Sequence, residues 1–142
     1  MTSDQQAVAS ANEAFYDALT ARDLPGMERL WFPAEWAECV HPGGVALRGW
    51  DAVRDGWAIM FTGDTPVMVA ATDVRVHLLG DVAWVSCTER VAATVEGHIE
   101  SSVAHATNIF VRHDGQWRMV VHHASPVPYV APSGPGTATR VN

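Results

Sequence analysis

The stretch 104–126, AHATNIFVRHDGQWRMVVHHASP, constrains the fold of this chain more than any other. It contains two apolar-rich segments of about eight residues, within the usual range of strand lengths, which meet at Asp114-Gly115. Asp-Gly between such segments predicts a hairpin, because glycine adopts the positive φ of a tight turn at no steric cost. The rest of the chain must therefore supply a sheet that this hairpin joins and a layer that covers it.

Three helices are predicted in the first half of the chain. In residues 2–22 and 49–61, apolar side chains recur at the spacing of one helical face. Thr2 with Gln5, or Ser3 with Gln6, forms a capping box for the first helix. A shorter helix follows Asp23, which suits the N-cap position, and ends before Pro33.

Beyond residue 66 the apolar period changes to two, which predicts strands. Residues 67–79 and 82–94 are long strands joined at Gly80-Asp81, and the 104–126 hairpin follows them. Helices followed by strands predict an α+β fold in which three N-terminal helices cover a curved antiparallel sheet and leave a cavity between the layers. We assign residues 1–128 to this cone-shaped domain and residues 129–142 to an irregular, Pro/Gly-rich C-terminal tail.

Composition excludes several functional classes. The formal charge of −7 argues against a nucleic acid or an anionic membrane as partner. No apolar run approaches the length of a membrane span, and MTSDQQAVAS lacks the features of a signal peptide. Cys39 and Cys87 have no paired spacing, so we expect reduced thiols in a cytoplasmic protein.

The segments LLGDVAWVSCTERV and TNIFVRHDGQWRMVVHHASP resemble the last two hairpins of the nuclear transport factor 2-like superfamily. CVHPGG and LRGWDAVRDGWAIMF are similar to the matching part of its SnoaL-like, ketosteroid-isomerase-like branch. The resemblance extends to the association domain of calcium/calmodulin-dependent protein kinase II. It implies a cystatin-like cone, a small apolar ligand and a homodimer formed through the outer face of the sheet. It implies fold more than function, because this fold hosts isomerases, cyclases, dehydratases and assembly modules.

The comparison with ketosteroid isomerase implies a catalytic group at His41. The proton-shuttling Asp of that enzyme immediately precedes a Pro, and His41 occupies this position before Pro42. An imidazole with an ordinary pKa of about 6.5 can perform the same transfer. Tyr16 lies near the isomerase's helix-one Tyr, and Asn108 is the closest polar substitute for its late-strand Asp.

The resulting hypothesis is a cofactor-independent isomerase or lyase that acts on an apolar carbonyl compound. In it His41 moves a proton, while Asn108, His122 and Tyr16 hydrogen-bond the developing oxyanion. The competing interpretation is a non-catalytic ligand-binding or dimerisation module, in which the histidines bond to backbone or lie in an interface.

His122 and His123 are adjacent on a strand and must point to opposite faces of the sheet. A two-residue Asp114-Gly115 turn pairs His113 with Gln116, which places His123 on the face of Asn108. A three-residue loop that includes His113 places His122 there instead. The second arrangement is favoured, because it reproduces the pocket face of the kinase association domain.

Several further side chains are predicted to contact a ligand. Trp36, Trp57, Phe61 and Trp84 would hold a flat apolar molecule, and His123 is included as the alternative to His122. Arg90 either faces a ligand or forms an ion pair with Asp73, because an unpaired buried charge is costly. No metal site is predicted, since Glu38, Cys39 and Glu89 show no recognisable ligand spacing with the histidines.

Overall fold

The computed structural model describes residues 1–128, and the predicted tail lies outside the described residues. Three helices and six strands follow one another in the chain: α1 Ser3–Ala21, α2 Leu24–Leu30, β1 Glu38–Val40, β2 Ala46–Arg48, α3 Trp50–Phe61, β3 Val67–Leu79, β4 Val82–Val95, β5 His98–His113 and β6 Gln116–Val127. The prediction of an α+β fold with three helices ahead of the long strands is confirmed.

The helix starts follow the capping signals of the sequence. The Thr2 hydroxyl accepts a hydrogen bond from the Gln5 backbone N–H, and the Gln5 side chain accepts one from the Thr2 N–H, so the capping box is complete. At α2 the Asp23 carboxylate accepts a hydrogen bond from the Gly26 N–H. Both caps satisfy backbone donors that the helices themselves leave unpaired.

The six strands form one sheet in the order β2-β1-β6-β5-β4-β3. The sheet is mixed rather than wholly antiparallel, because β1 pairs with β6 in parallel. The physical reason lies in the segment after α2. Trp31 already forms a parallel bridge with Met119 of β6, and Phe32 donates its backbone N–H to the Met119 carbonyl. Residues 33–37 then leave β6, and the chain returns to it at β1 in the same direction.

Tight turns and bulges shape the four long strands. The β5–β6 turn places Asp114 and Gly115 at φ angles of 51° and 74°, as a type I′ hairpin requires. Register shifts interrupt the β3–β4 pairing between Thr72 and Arg75 and the β5–β6 pairing between Ile109 and Phe110. Because a bulge bends its strand and increases the local twist, these two irregularities contribute to the curvature of the sheet.

The core lies between the helices and the concave face of the sheet. On β4 the alternate residues Ala83, Val85 and Cys87 are buried, as their period-two pattern predicted. The next residue of this series, Glu89, is buried as well. Within residues 1–128 no helix is long and apolar enough to cross a bilayer.

Candidate functional site

A cavity of about 340 Å³ lies between the helical layer and the concave face of the sheet. Its apolar walls come from α1, α3 and the strands β3 and β4, and include Leu19, Trp57, Met60, Phe61, Val69 and Val91. The titratable side chains in its lining include His41, Glu89 and His122. An apolar enclosure with few polar groups is the usual character of a small-molecule site.

His41 contributes a partly buried imidazole to this lining. It follows β1, and its backbone carbonyl accepts a hydrogen bond from the Gly44 N–H, which closes the turn after Pro42. The ring meets the Trp57 indole edge-on, with centroids 4.6 Å apart, and its Nε2 lies 3.7 Å from the Cys39 Sγ. Burial lowers the pKa of His41, so the ring is neutral at pH 7 and can accept a proton.

Four buried side chains, Tyr16, Glu89, Asn108 and His122, form a hydrogen-bonded cluster that we call the polar ring. The Tyr16 hydroxyl donates to Glu89 Oε2 at 2.8 Å and accepts from Asn108 Nδ2 at 3.1 Å. Asn108 Oδ1 lies 2.6 Å from His122 Nδ1, and His122 Nε2 lies 3.7 Å from Glu89 Oε2. Asn12 is attached to the ring, since its Oδ1 accepts from Asn108 Nδ2 at 2.8 Å.

Three elements bring the polar ring together. Asn12 and Tyr16 are four residues apart on α1 and therefore lie on the same helical face. Asn108 and His122 are direct cross-strand partners on β5 and β6, so their side chains point to the same side of the sheet. Glu89 reaches that side from β4, where it continues the inward series of Cys87.

The ring fixes the hydrogen positions of its own members. The Tyr16 hydroxyl has one hydrogen, which it gives to Glu89, so the Asn108 atom beside it must be the amide nitrogen. Asn108 Oδ1 then faces His122, and the bond between them requires the imidazole hydrogen on Nδ1. His122 Nε2 is left with a lone pair and no hydrogen.

Burial drives the titratable members of the ring toward their neutral forms. It raises the pKa of Glu89, although the Tyr16 hydrogen bond opposes the rise, and it raises the pKa of Tyr16, with the Glu89 charge adding to the effect. Burial, with smaller contributions from His41 and His123, lowers the pKa of His122 to about 3. Because His122 is neutral at pH 7, its 3.7 Å approach to Glu89 is not an ion pair.

The structure brings some of the predicted residues to the cavity and leaves others away from it. His41, His122, Trp57 and Phe61 line the cavity. Tyr16 and Asn108 are not among its lining residues and lie behind the wall, where they hold Glu89 and His122. Their hydrogens are donated within the polar ring and to Asn12, whereas the predicted oxyanion contact would require one of these hydrogens.

Four of the residues predicted to contact a ligand lie away from this cavity. Trp36 is 61% exposed in the segment after α2, where it packs near Phe32. Trp84, Arg90 and His123 point to the outer face of the sheet, because their strand neighbours take the inner positions.

Arg90 does not form the predicted ion pair with Asp73. Asp73 bonds to Arg75 instead, with the Arg75 Nε 3.4 Å from the Asp73 Oδ1. The bulge between Thr72 and Arg75 turns this part of β3, and Arg90 is exposed and paired across the strands with Ala70.

His122 shares the face of Asn108, as favoured, but for a different reason. The turn is the two-residue Asp114-Gly115 type, with His113 paired to Gln116. The register then shifts, because Phe110 pairs with Met119 whereas Ile109 pairs with Val121. The extra residue between them, Val120, is buried in a bulge. This one-residue insertion moves His122 onto the inner face.

Sequence reasoning missed Glu89 and Asn12 as parts of the site. Glu89 continues the buried series of Ala83, Val85 and Cys87, so strand alternation alone could have placed it inside. Asn12 occurs four residues after Val8, within the apolar stripe of α1. A polar residue at a core position is the signal that identifies both of them.

Comparisons with known proteins agree with this architecture. The family model of the SnoaL-like domain matches residues 8–130. The chain is 32% identical over 120 residues to F-box protein SKIP8 from Arabidopsis thaliana. This match covers 84% of the chain and 49% of SKIP8. The chain thus spans about half the length of this curated relative.

Two solved structures show the same similarity. One is a protein of the NTF2-like family from Streptomyces avermitilis, provisionally assigned as a dehydratase, with 33% identity, a TM-score of 0.81, and coverage of 87% of this chain and 97% of that one. The other, from Thiobacillus denitrificans, is provisionally assigned as a calcium/calmodulin-dependent protein kinase type II association domain. It shows 31% identity, a TM-score of 0.69, and coverage of 84% and 94%.

Proposed function

This chain belongs to the SnoaL-like domain family within the NTF2-like superfamily, and from that membership we propose that its cavity binds a small apolar molecule and moves a proton on it without a cofactor. The observation that carries the proposal is the position of His41. Its neutral, partly buried imidazole lines an apolar cavity that also contains Glu89 and His122. The reaction class is that of an isomerase or a lyase.

In the proposed reaction His41 acts as a general base. The imidazole takes a proton from a carbon next to a carbonyl group, and the electron pair of the C–H bond moves toward the carbonyl oxygen to form an enolate. Return of the proton to a different carbon completes an isomerisation, whereas departure of a hydroxyl group from the neighbouring carbon, with a proton, completes a dehydration. The NTF2-like protein from Streptomyces avermitilis, which is provisionally assigned as a dehydratase, supports dehydration as the candidate reaction.

Deuterium exchange tests this proposal without knowledge of the natural substrate. We expect the protein to accelerate the exchange of the protons next to the carbonyl of β-tetralone in D2O, followed by NMR. His41→Ala should slow this exchange about a hundredfold, the lower end of what general base catalysis contributes. The Kd for β-tetralone should change little, because the apolar walls remain.

His105→Ala is the matched control, since His105 is an exposed histidine on β5. It should exchange β-tetralone at the wild-type rate. Exchange by the wild-type protein no faster than in buffer, or an unchanged rate in His41→Ala, would contradict the role of His41.

A second candidate is a binding or assembly module without chemistry, and the outer face of the sheet supports it. Leu79, Val82 and Trp84 are exposed there and lie on the adjacent strands β3 and β4. The relative from Thiobacillus denitrificans carries the name of an association domain. We therefore propose a homodimer that covers this face, because a continuous apolar patch is costly to leave in water.

Sedimentation equilibrium tests the dimer. Trp84→Arg should convert it to a monomer, whereas Trp36→Arg, at an exposed tryptophan outside the sheet, should leave it intact. A wild-type protein that sediments as a monomer at millimolar concentration would rule the dimer out.

A further inference from the structure

We propose that the polar ring selects a hydroxyl group on the ligand in preference to a carbonyl oxygen, so that the natural ligand carries an alcohol or enol hydroxyl besides the carbonyl that directs proton removal. This inference rests on the proposed function, because it assumes that the same cavity holds the ligand. It concerns the group that contacts Glu89 and His122, and it leaves open which carbon His41 would deprotonate.

The donor hydrogens of Tyr16, Asn108 and His122 are already used within the cluster. Tyr16 gives its only hydroxyl hydrogen to Glu89, and Asn108 gives its two amide hydrogens to Asn12 and Tyr16. His122 gives its Nδ1 hydrogen to Asn108 Oδ1. None of these hydrogens remains for a ligand oxygen.

Glu89 and His122 are the two groups of the ring that line the cavity. His122 Nε2 holds a lone pair, and the nearest polar atom of Glu89 is 3.7 Å away, too far for a direct hydrogen bond. One oxygen atom placed beside this pair, on the cavity side, can lie within hydrogen-bond distance of both groups. Buried polar groups that stay unpaired are costly, so a ligand that satisfies both is favoured.

The preference for a hydroxyl group over a carbonyl oxygen holds for either protonation state of Glu89. If the carboxyl is protonated, a hydroxyl accepts its hydrogen and donates its own to His122 Nε2. If the carboxyl is ionised, a hydroxyl still donates to one of the two acceptors. A carbonyl oxygen has no hydrogen, so it leaves His122 Nε2 unpaired in both states.

The ring cannot rearrange at low cost to offer a donor instead. Asn12 accepts one of the Asn108 amide hydrogens, so an amide flip would turn two oxygens toward each other. The His122 ring is packed against Phe15, with centroids 4.7 Å apart, and both side chains are buried. A ligand therefore meets the hydrogen-bond pattern of the polar ring as described.

The test compares three compounds of the same carbon skeleton: β-tetralol, β-tetralone and tetralin. We expect the Kd of the alcohol, measured by NMR shift titration, to be about tenfold lower than that of the ketone, which is the effect of one added hydrogen bond. Equal Kd values, or a lower one for the ketone, would overturn the inference and leave the proton-transfer proposal to its own exchange assay. Failure of all three compounds to bind would overturn both.

A variant assigns the preference to the ring. Glu89→Gln keeps the shape of the side chain and an acceptor for Tyr16, but adds amide hydrogens. A carbonyl and a hydroxyl can both accept such a hydrogen, and adding His122→Phe removes the Nε2 acceptor. The tenfold preference for the alcohol should therefore disappear in the double variant Glu89→Gln/His122→Phe. Ser102→Ala removes a different polar residue of the cavity lining and should retain the preference. Retention of the preference in Glu89→Gln/His122→Phe, or its loss in Ser102→Ala, would refute the role of the ring.

Discussion

Mild acid should destabilise this protein through His122. The imidazole is 2% exposed, and burial lowers its pKa to about 3 in the folded state. In the unfolded chain the same ring titrates near its ordinary pKa of 6.5. The unfolded state therefore binds a proton first as the pH falls. The stability that this neutral ring contributes is present above pH 6.5 and is lost as the pH drops from 6.5 toward 3.

The magnitude follows from the distance to the unfolded-state pKa. At pH 5 the pH lies 1.5 units below the unfolded-state pKa of 6.5, so the ring is protonated in the unfolded chain and still neutral in the folded protein. At 1.36 kcal/mol per unit, His122 alone should lower the free energy of unfolding by about 2 kcal/mol between pH 7 and pH 5. Glu89 acts in the opposite direction, because its raised pKa lets the folded state bind a proton earlier. Comparing proteins that all retain Glu89 cancels its contribution.

The assay is urea unfolding at pH 7 and pH 5 for three proteins. The loss of stability on acidification should be about 2 kcal/mol smaller in His122→Gln than in the wild type. His123→Gln, at the exposed neighbour on the same strand, should lose as much as the wild type. Long-range 1H–15N NMR at pH 5 should also show His122 neutral, with its hydrogen on Nδ1. A protonated ring at pH 5, or equal losses in all three proteins, would refute the reasoning.

Two further substitutions probe the ring and the hairpin. Tyr16→Phe removes the hydroxyl that donates to buried Glu89, so the free energy of unfolding should fall by about 1–3 kcal/mol in urea titrations. No loss would mean that Glu89 finds another partner. Gly115→Ala should lower the melting temperature, with a cost of about 1 kcal/mol, because the turn holds Gly115 at a φ of 74°. Gly63→Ala, at a glycine without positive φ, is the control. Equal melting temperatures for both variants would contradict the turn argument.

Much of the fold could be predicted because its signals are local. Asp114-Gly115 fixed the hairpin, and the capping box at Thr2 fixed the start of α1, through hydrogen bonds made within a few residues. The parallel pairing of β1 with β6 could not be predicted. β1 has three residues, too few for a periodic pattern, and its direction is set by the distant bridge between Trp31 and Met119.

The site was less predictable, because residue type and strand alternation gave conflicting indications. Trp84 and Arg90 were assigned to the ligand on their chemistry, although the burial of Cys87 and Glu89 on the same strand sends them to the outer face. The bulge at Val120 carries no sequence signal, since its neighbours are equally apolar. Alternation is reliable between bulges, and it fails where an inserted residue reverses it.

The polar ring is not explained by the stability of the fold. A buried, hydrogen-bonded cluster of Tyr16, Glu89, Asn108 and His122 contributes no more than apolar side chains of similar volume would, and often less. Replacing these four residues together with Asn12 (Tyr16 and His122 by Phe, the other three by Leu) should therefore change the free energy of unfolding by less than about 2 kcal/mol, because no partner in the cluster is left unpaired. The same protein should bind β-tetralol no more tightly than tetralin. A large loss of stability would give the ring a structural role, whereas retained stability with lost discrimination would show that the ring serves the ligand.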